Sequence, residues 1–76
     1  MAAYFRHLKD VFLEAGIKVT EDNIKRIDWA IHEIAGVQYN NDFETWQRIK
    51  PVVEDPAKRE IFIQKLQEIA EEESWN

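Results

Sequence analysis

Residues 19–36 read VTEDNIKRIDWAIHEIAG, and this stretch decides the fold. Ile24, Ile27, Ile31 and Ile34 recur every three or four positions, which lines them along one face of an α-helix. Thr20 is a good N-cap, and Glu21 and Asp22 place negative charge in the first turn, where the helix dipole favours it. Val19 and Ile24 stand at the spacing of a hydrophobic staple. Gly36 supplies the stop. The spacing predicts a helix over about 21–35.

Working outward, three more helices emerge. Upstream, Tyr4, Phe5, Leu8, Val11, Phe12 and Ala15 share a broad face, predicting a helix over about 3–15 that Gly16 terminates. Downstream, Asn41 or Asp42 caps a helix over about 42–53, and Asn41 with Glu44 makes a variant capping box. Phe43, Trp46, Ile49 and Val53 then share its inner face, with Trp46 in the core. Pro51 should distort or end it, because proline lacks a donor and restricts the preceding Lys50. Asp55-Pro56 is a strong start for the fourth helix, about 56–72, with Phe62, Ile63, Leu66, Ile69 and Ala70 as its buried stripe. Glu71, Glu72 and Glu73 stand at a helix C-terminus, where the dipole disfavours anions, so 73–76 is expected to fray. The expected fold is all-α: one compact four-helix domain over 1–76, as a bundle or an orthogonal array.

Seventy-six residues sit near the lower limit for a single hydrophobic core, and without cysteine neither a disulfide nor a thiolate zinc site can supplement it. At 45% hydrophobic the chain is too apolar to stay disordered, although a third of it is charged. No run approaches the ~18 apolar residues a membrane helix requires, and the first residues lack a secretory signal, so no membrane partner and a cytoplasmic location are expected. A net charge of −5 disfavours nonspecific attachment to nucleic acid. Glu21–Lys25, Asp22–Arg26, Glu44–Arg48, Glu54–Lys58 and Asp55–Arg59 are acid-before-base pairs four apart, which stabilise helices without implying a ligand.

Catalytic parts are scarce. The sole serine is Ser74 in the expected tail, and Thr20 is engaged in capping, so a nucleophilic triad has almost nothing to be built from. The size, acidity and helix count resemble those of acyl carrier proteins, but that family carries its prosthetic arm on a serine at a helix start, and no such serine stands here. His7 and His32 fall on different helices without metal-ligand spacing, and Gly16 and Gly36 stand alone, so no metal, cofactor or phosphate loop is expected. His32 reads as a partly exposed structural residue. The expectation is a non-enzymatic domain.

The segment 3–36 broadly resembles a helix-turn-helix, which would use Lys18, Thr20, Asn23, Lys25 and Arg26 as nucleic-acid contacts. Glu21, Asp22 and the acidic balance oppose this, leaving it the alternative.

Trp29 is the sharpest anomaly. It lies ~180° from the isoleucine stripe, among Asp22, Lys25, Arg26 and Glu33. Leu13 and Ile61 are similarly displaced from their own stripes. Two accounts fit. In one, Trp29 packs beneath the third helix or against Trp75. In the other, Trp29 with Leu13, Ile61, Lys25 and His32 forms an anchor patch for a protein partner or a second copy. Tyr39, in the polar loop with Asn40 and Asn41, is a second candidate contact. The leading expectation is a protein–protein interaction module, self-association being one of its forms.

Overall fold

The computed structural model describes residues 3–75. A 3-10 turn over Ala3–His7 precedes four α-helices: α1 (Lys9–Ala15), α2 (Ile24–Ala35), α3 (Asp42–Glu54) and α4 (Pro56–Glu73). Among the described residues there is no strand. The all-α, four-helix expectation holds.

Local chemistry explains most boundaries. The Asp55 side chain accepts from the amides of Ala57 and Lys58, and Pro56 occupies the first turn, so α4 starts where the Asp-Pro pair stands. The Asn41 side chain accepts from the Glu44 amide at 3.1 Å and donates to the Glu44 carboxylate at 3.1 Å, completing the reciprocal box that starts α3. Gly16 and Gly36 end α1 and α2 at φ +72° and +71°, a left-handed conformation that side-chain-bearing residues rarely take.

The four helices surround one core. α4 packs against α1, α2 and α3, and α2 also packs against α3. Leu8, Val11, Ile27, Ile31, Ile49, Phe62 and Leu66 are fully buried at its centre. Each helix C-terminus is held by a side chain from elsewhere in the chain. Gln67 donates to Ala15 O at 3.1 Å, Arg48 to Ala35 O at 3.4 Å, Arg59 to Val53 O at 3.4 Å and Arg26 to Glu73 O at 3.3 Å. Three of these donors are cations at the negative end of a helix dipole.

Several sequence expectations are corrected here. The first helix is not continuous: Leu8 departs from helical geometry (φ −109°, ψ 9°), separating the 3-10 turn from α1. That break lets the N-terminal turn lie against α3 as well as α1, with both Tyr4 and Phe5 buried. Regular α2 begins at Ile24 rather than 21. The Thr20 amide donates to Asn23 Oδ1 at 2.7 Å and the Asn23 amide to Thr20 Oγ1 at 3.3 Å, which closes a separate turn first. On α3 the inward residues are Thr45 and Ile49, so Phe43, about 200° round the helix from Thr45, is 75% exposed rather than buried. Trp46 is only partly buried and stacks on His7 with centroids 4.8 Å apart. The helix passes through Pro51, which deprives the Gln47 carbonyl of its usual donor, and ends three residues later. Of the acid-before-base pairs, Glu44–Arg48 forms an ion pair at 3.1 Å, whereas Arg59 turns to Glu14 at 3.5 Å and leaves Asp55 to its cap.

The expected frayed tail is the largest correction. Trp75 is 4% exposed, inside the core. Ser74 adopts a left-handed φ of +55°, which turns the chain back so that the Trp75 amide reaches Ala70 O at 3.0 Å. The Trp75 ring nitrogen donates to Glu73 Oε1 at 2.9 Å, and its carbonyl accepts from Asn23 Nδ2 at 2.8 Å. Apolar burial of the indole outweighs the unfavourable acidic run, which projects into solvent. Asn76 lies outside the described residues. Trp75→Ala should therefore cost about 3–5 kcal/mol in urea denaturation, against less than about 0.5 kcal/mol for a residue in a frayed tail.

Candidate functional site

The inner face of α2 carries two polar residues one turn apart. Asp28 and His32 are i and i+4, so both point toward the gap between the 3-10 turn and the start of α3. The Tyr4 hydroxyl, delivered from the buried 3-10 turn, donates to Asp28 Oδ1. His32 Nδ1 lies 2.8 Å from the Asp28 backbone carbonyl and 3.2 Å from Asp28 Oδ1. The Tyr4 oxygen, its proton directed at Asp28, is 3.5 Å away. Every neighbour of Nδ1 is thus an acceptor, which places the ring proton on Nδ1.

The other ring nitrogen faces α3. His32 Nε2 lies 3.5 Å from Asp42 Oδ1, and both atoms are buried without a hydrogen-bond partner. Asp42 stands in the first turn of α3, fixed there by the Asn41–Glu44 box. Thr45 Oγ1, one turn along the same helix, is also buried and unpartnered. Buried polar groups are usually satisfied, so a facing pair of orphans is a feature that calls for a cause.

Tyr39 joins this cluster to the surface. Asn40 adopts φ +76°, a left-handed turn that asparagine tolerates, and the loop carries Tyr39 back over α2. The Tyr39 ring tilts against His32 with centroids 5.1 Å apart and stacks on Trp29 at 4.5 Å and 11°. An open cleft of about 350 Å³, lined by Glu21, Lys25, Asp28, Tyr39, Asn40 and Asp42, reaches the two carboxylates from solvent.

Both tyrosines hold their protons more tightly than usual. For Tyr4 the causes are burial, then the hydrogen bond to Asp28 and that carboxylate's charge. For Tyr39 they are burial, then the charges of Asp28 and Asp42 and a hydrogen bond to Asp28.

The residues singled out from the sequence are dispersed. Trp29 is 56% exposed, so it is not in the core, and its contact is Tyr39 rather than Trp75. His32 is 1% exposed, which removes it from any anchor patch and corrects the expectation of partial exposure. Burial follows from its position on the helix face shared with Asp28, turned toward Tyr4 and Asp42. Ile61 and Trp29 are exposed along two grooves that meet at Ile34 and Lys65, whereas Leu13 lines a third that shares no residue with either. Lys25 is exposed at the cleft mouth.

The alternative nucleic-acid set is largely engaged internally. Asn23 is buried, its amide donating to Lys18 O and Trp75 O at 2.8 Å each. Thr20 pairs with Asn23, and Arg26 bonds the carbonyls of Glu73 and Asp22. Lys18 and Lys25 have exposed side chains.

Sequence reasoning missed the Tyr4–Asp28–His32–Asp42 cluster. The readable signal was the Asp28-x-x-x-His32 spacing; the contributions of Tyr4 and Asp42 depend on packing alone. Comparison with family models, curated proteins and solved structures returns no match.

Because each tyrosine has a raised pKa in the folded chain, the unfolded chain releases these protons first. The stability these two tyrosines contribute is fully present below about pH 10 and is lost as pH rises above it. Tyrosinate absorbance should accordingly stay low at pH 10 in the folded protein and appear on adding denaturant at the same pH.

Proposed function

We propose that this domain is a non-enzymatic protein-binding module whose α2–α4 groove receives an amphipathic helix with basic flanks. The observation that carries the reading is Trp29, stacked on Tyr39 yet 56% exposed. Tryptophan dominates protein interfaces because it offers a large apolar surface with few rotatable bonds.

The neighbourhood supports it. Trp29, Ala30, Ile34 and Ile69 form the apolar lining of a groove of about 600 Å³ between α2 and α4. Glu33, Glu68, Glu72 and Glu73 surround it, against only Arg26 and Lys65. Arg26 is already bonded to the α4 terminus. An apolar trough with an acidic rim matches a helix presenting apolar residues at i, i+3, i+4 and i+7 between lysines and arginines. The acidic run at the end of α4, unfavourable for its own helix dipole, has a role as that rim.

Selection from a library of helical peptides should enrich amphipathic sequences with basic flanks. Trp29→Lys should weaken their binding by about 2 kcal/mol or more while changing folding stability by less than about 1 kcal/mol. Glu68→Lys should weaken binding as well. Absence of enrichment, or affinity indifferent to both substitutions, would overturn the reading. A size that grows with concentration and is reset by Trp29→Lys would identify the occupant as a second copy of the chain.

A further inference from the structure

We infer that His32, Asp42 and Asp28 form a binding site for one borderline divalent metal ion, zinc or cobalt being suited to it. The three residues each bring a ligand atom within 4.8 Å of the others. A carboxylate cluster alone would carry no such claim; the decisive atom is His32 Nε2.

Nδ1 of His32 is surrounded by acceptors and carries the ring proton, so in the neutral ring Nε2 is a lone pair. That lone pair is buried, has no donor, and points at Asp42 Oδ1, an atom that also has no donor. Two acceptors facing each other at 3.5 Å repel unless something positive lies between them. A metal ion satisfies both at once. Tetrahedral ligands on bonds of about 2.1 Å stand about 3.4 Å apart, close to the observed separation.

The surroundings have the form metal sites take. The nitrogen opposite the metal-facing one donates to the Asp28 backbone carbonyl, an arrangement that fixes the tautomer and strengthens the ligand while leaving the Asp28 side chain for the ion. Asp28 is held in turn by the Tyr4 hydroxyl. One imidazole with carboxylate oxygens and no thiolate selects borderline divalent ions, with water completing the sphere. The cleft that Asp28 and Asp42 line offers an entry path, with Glu21 offsetting Lys25 at its mouth. A bound ion would pin the middle of α2 to the start of α3.

Isothermal titration of the full chain with zinc, and the visible spectrum of its cobalt complex, test this directly. One ion should bind per chain. Asp42→Asn and His32→Gln should each weaken binding about tenfold or more, and His7→Gln, altering the chain's other histidine, should leave it unchanged. Because His32→Gln removes a core residue, Asp42→Asn on the partly exposed helix start is the main variant, with circular dichroism confirming its fold. Independently of any variant, zinc should shift the Nε2 nitrogen resonance of His32 in the unmodified protein. No uptake from excess zinc or cobalt would overturn the site, as would binding that survives Asp42→Asn or is lost with His7→Gln. So would an Nε2 that is protonated at neutral pH and unmoved by zinc, since that would make the contact a His32–Asp42 ion pair.

Discussion

Exclusion of water from the Leu8, Ile27, Ile31, Phe62 and Leu66 side chains is the constraint on which the rest of the molecule depends. A chain this short, with no cysteine to cross-link it, has no other large stabilising term. Each helix contributes a narrow apolar stripe, and α4, which touches the other three, is where those stripes converge. The unusual feature is how much polarity this small core contains. Asn23, Asp28, His32 and Thr45 are all buried within it. A buried polar group without a partner costs on the order of 1–3 kcal/mol, so each must be satisfied or serve a purpose.

Two of those polar groups are answered inside the chain. Asn23 is saturated, bonding Thr20, Lys18 and Trp75. Asp28 is met by Tyr4. His32 is met on one side only. The apolar groove beside Trp29 and the polar cluster beneath Tyr39 are therefore neighbours with different chemistry, joined by a single aromatic ring that stacks on one and leans on the other. The stack on Trp29 and the contact with His32 are two outcomes of the same loop placement.

Legibility in the sequence followed the range of the interaction. Features set within four residues were readable: the Asn41–Glu44 box, the Asp55-Pro56 start, the glycine stops and the isoleucine stripe of α2. Features set by distant partners were not. Asn23 bonds Thr20 and Lys18 locally, but its bond to the carbonyl of Trp75, 52 positions away, was not legible. The acidic run favours fraying on local electrostatics, and the indole of Trp75 that follows it overrides that preference by burial. Periodicity alone places Phe43 and Trp46 inward, yet α3 is rotated so that Thr45 faces the core, a polar residue that hydrophobic patterning cannot find. The candidate site combined both kinds. Asp28 and His32 are a local pair, while Tyr4 and Asp42 come from elements whose approach no stripe specifies.

The side chains at the helix ends have a consequence of their own. Three of the chain's four arginines donate to terminal backbone carbonyls, at Ala35, Val53 and Glu73, where their cations also oppose a helix dipole. A carbonyl oxygen does not take up a proton in mild acid as a carboxylate does. Arg48 and Arg59 also pair with carboxylates, Glu44 and Glu14, but the three carbonyl contacts have no titratable acceptor. Adjacent helices are thus joined at three of their ends through acceptors whose charge does not change with pH.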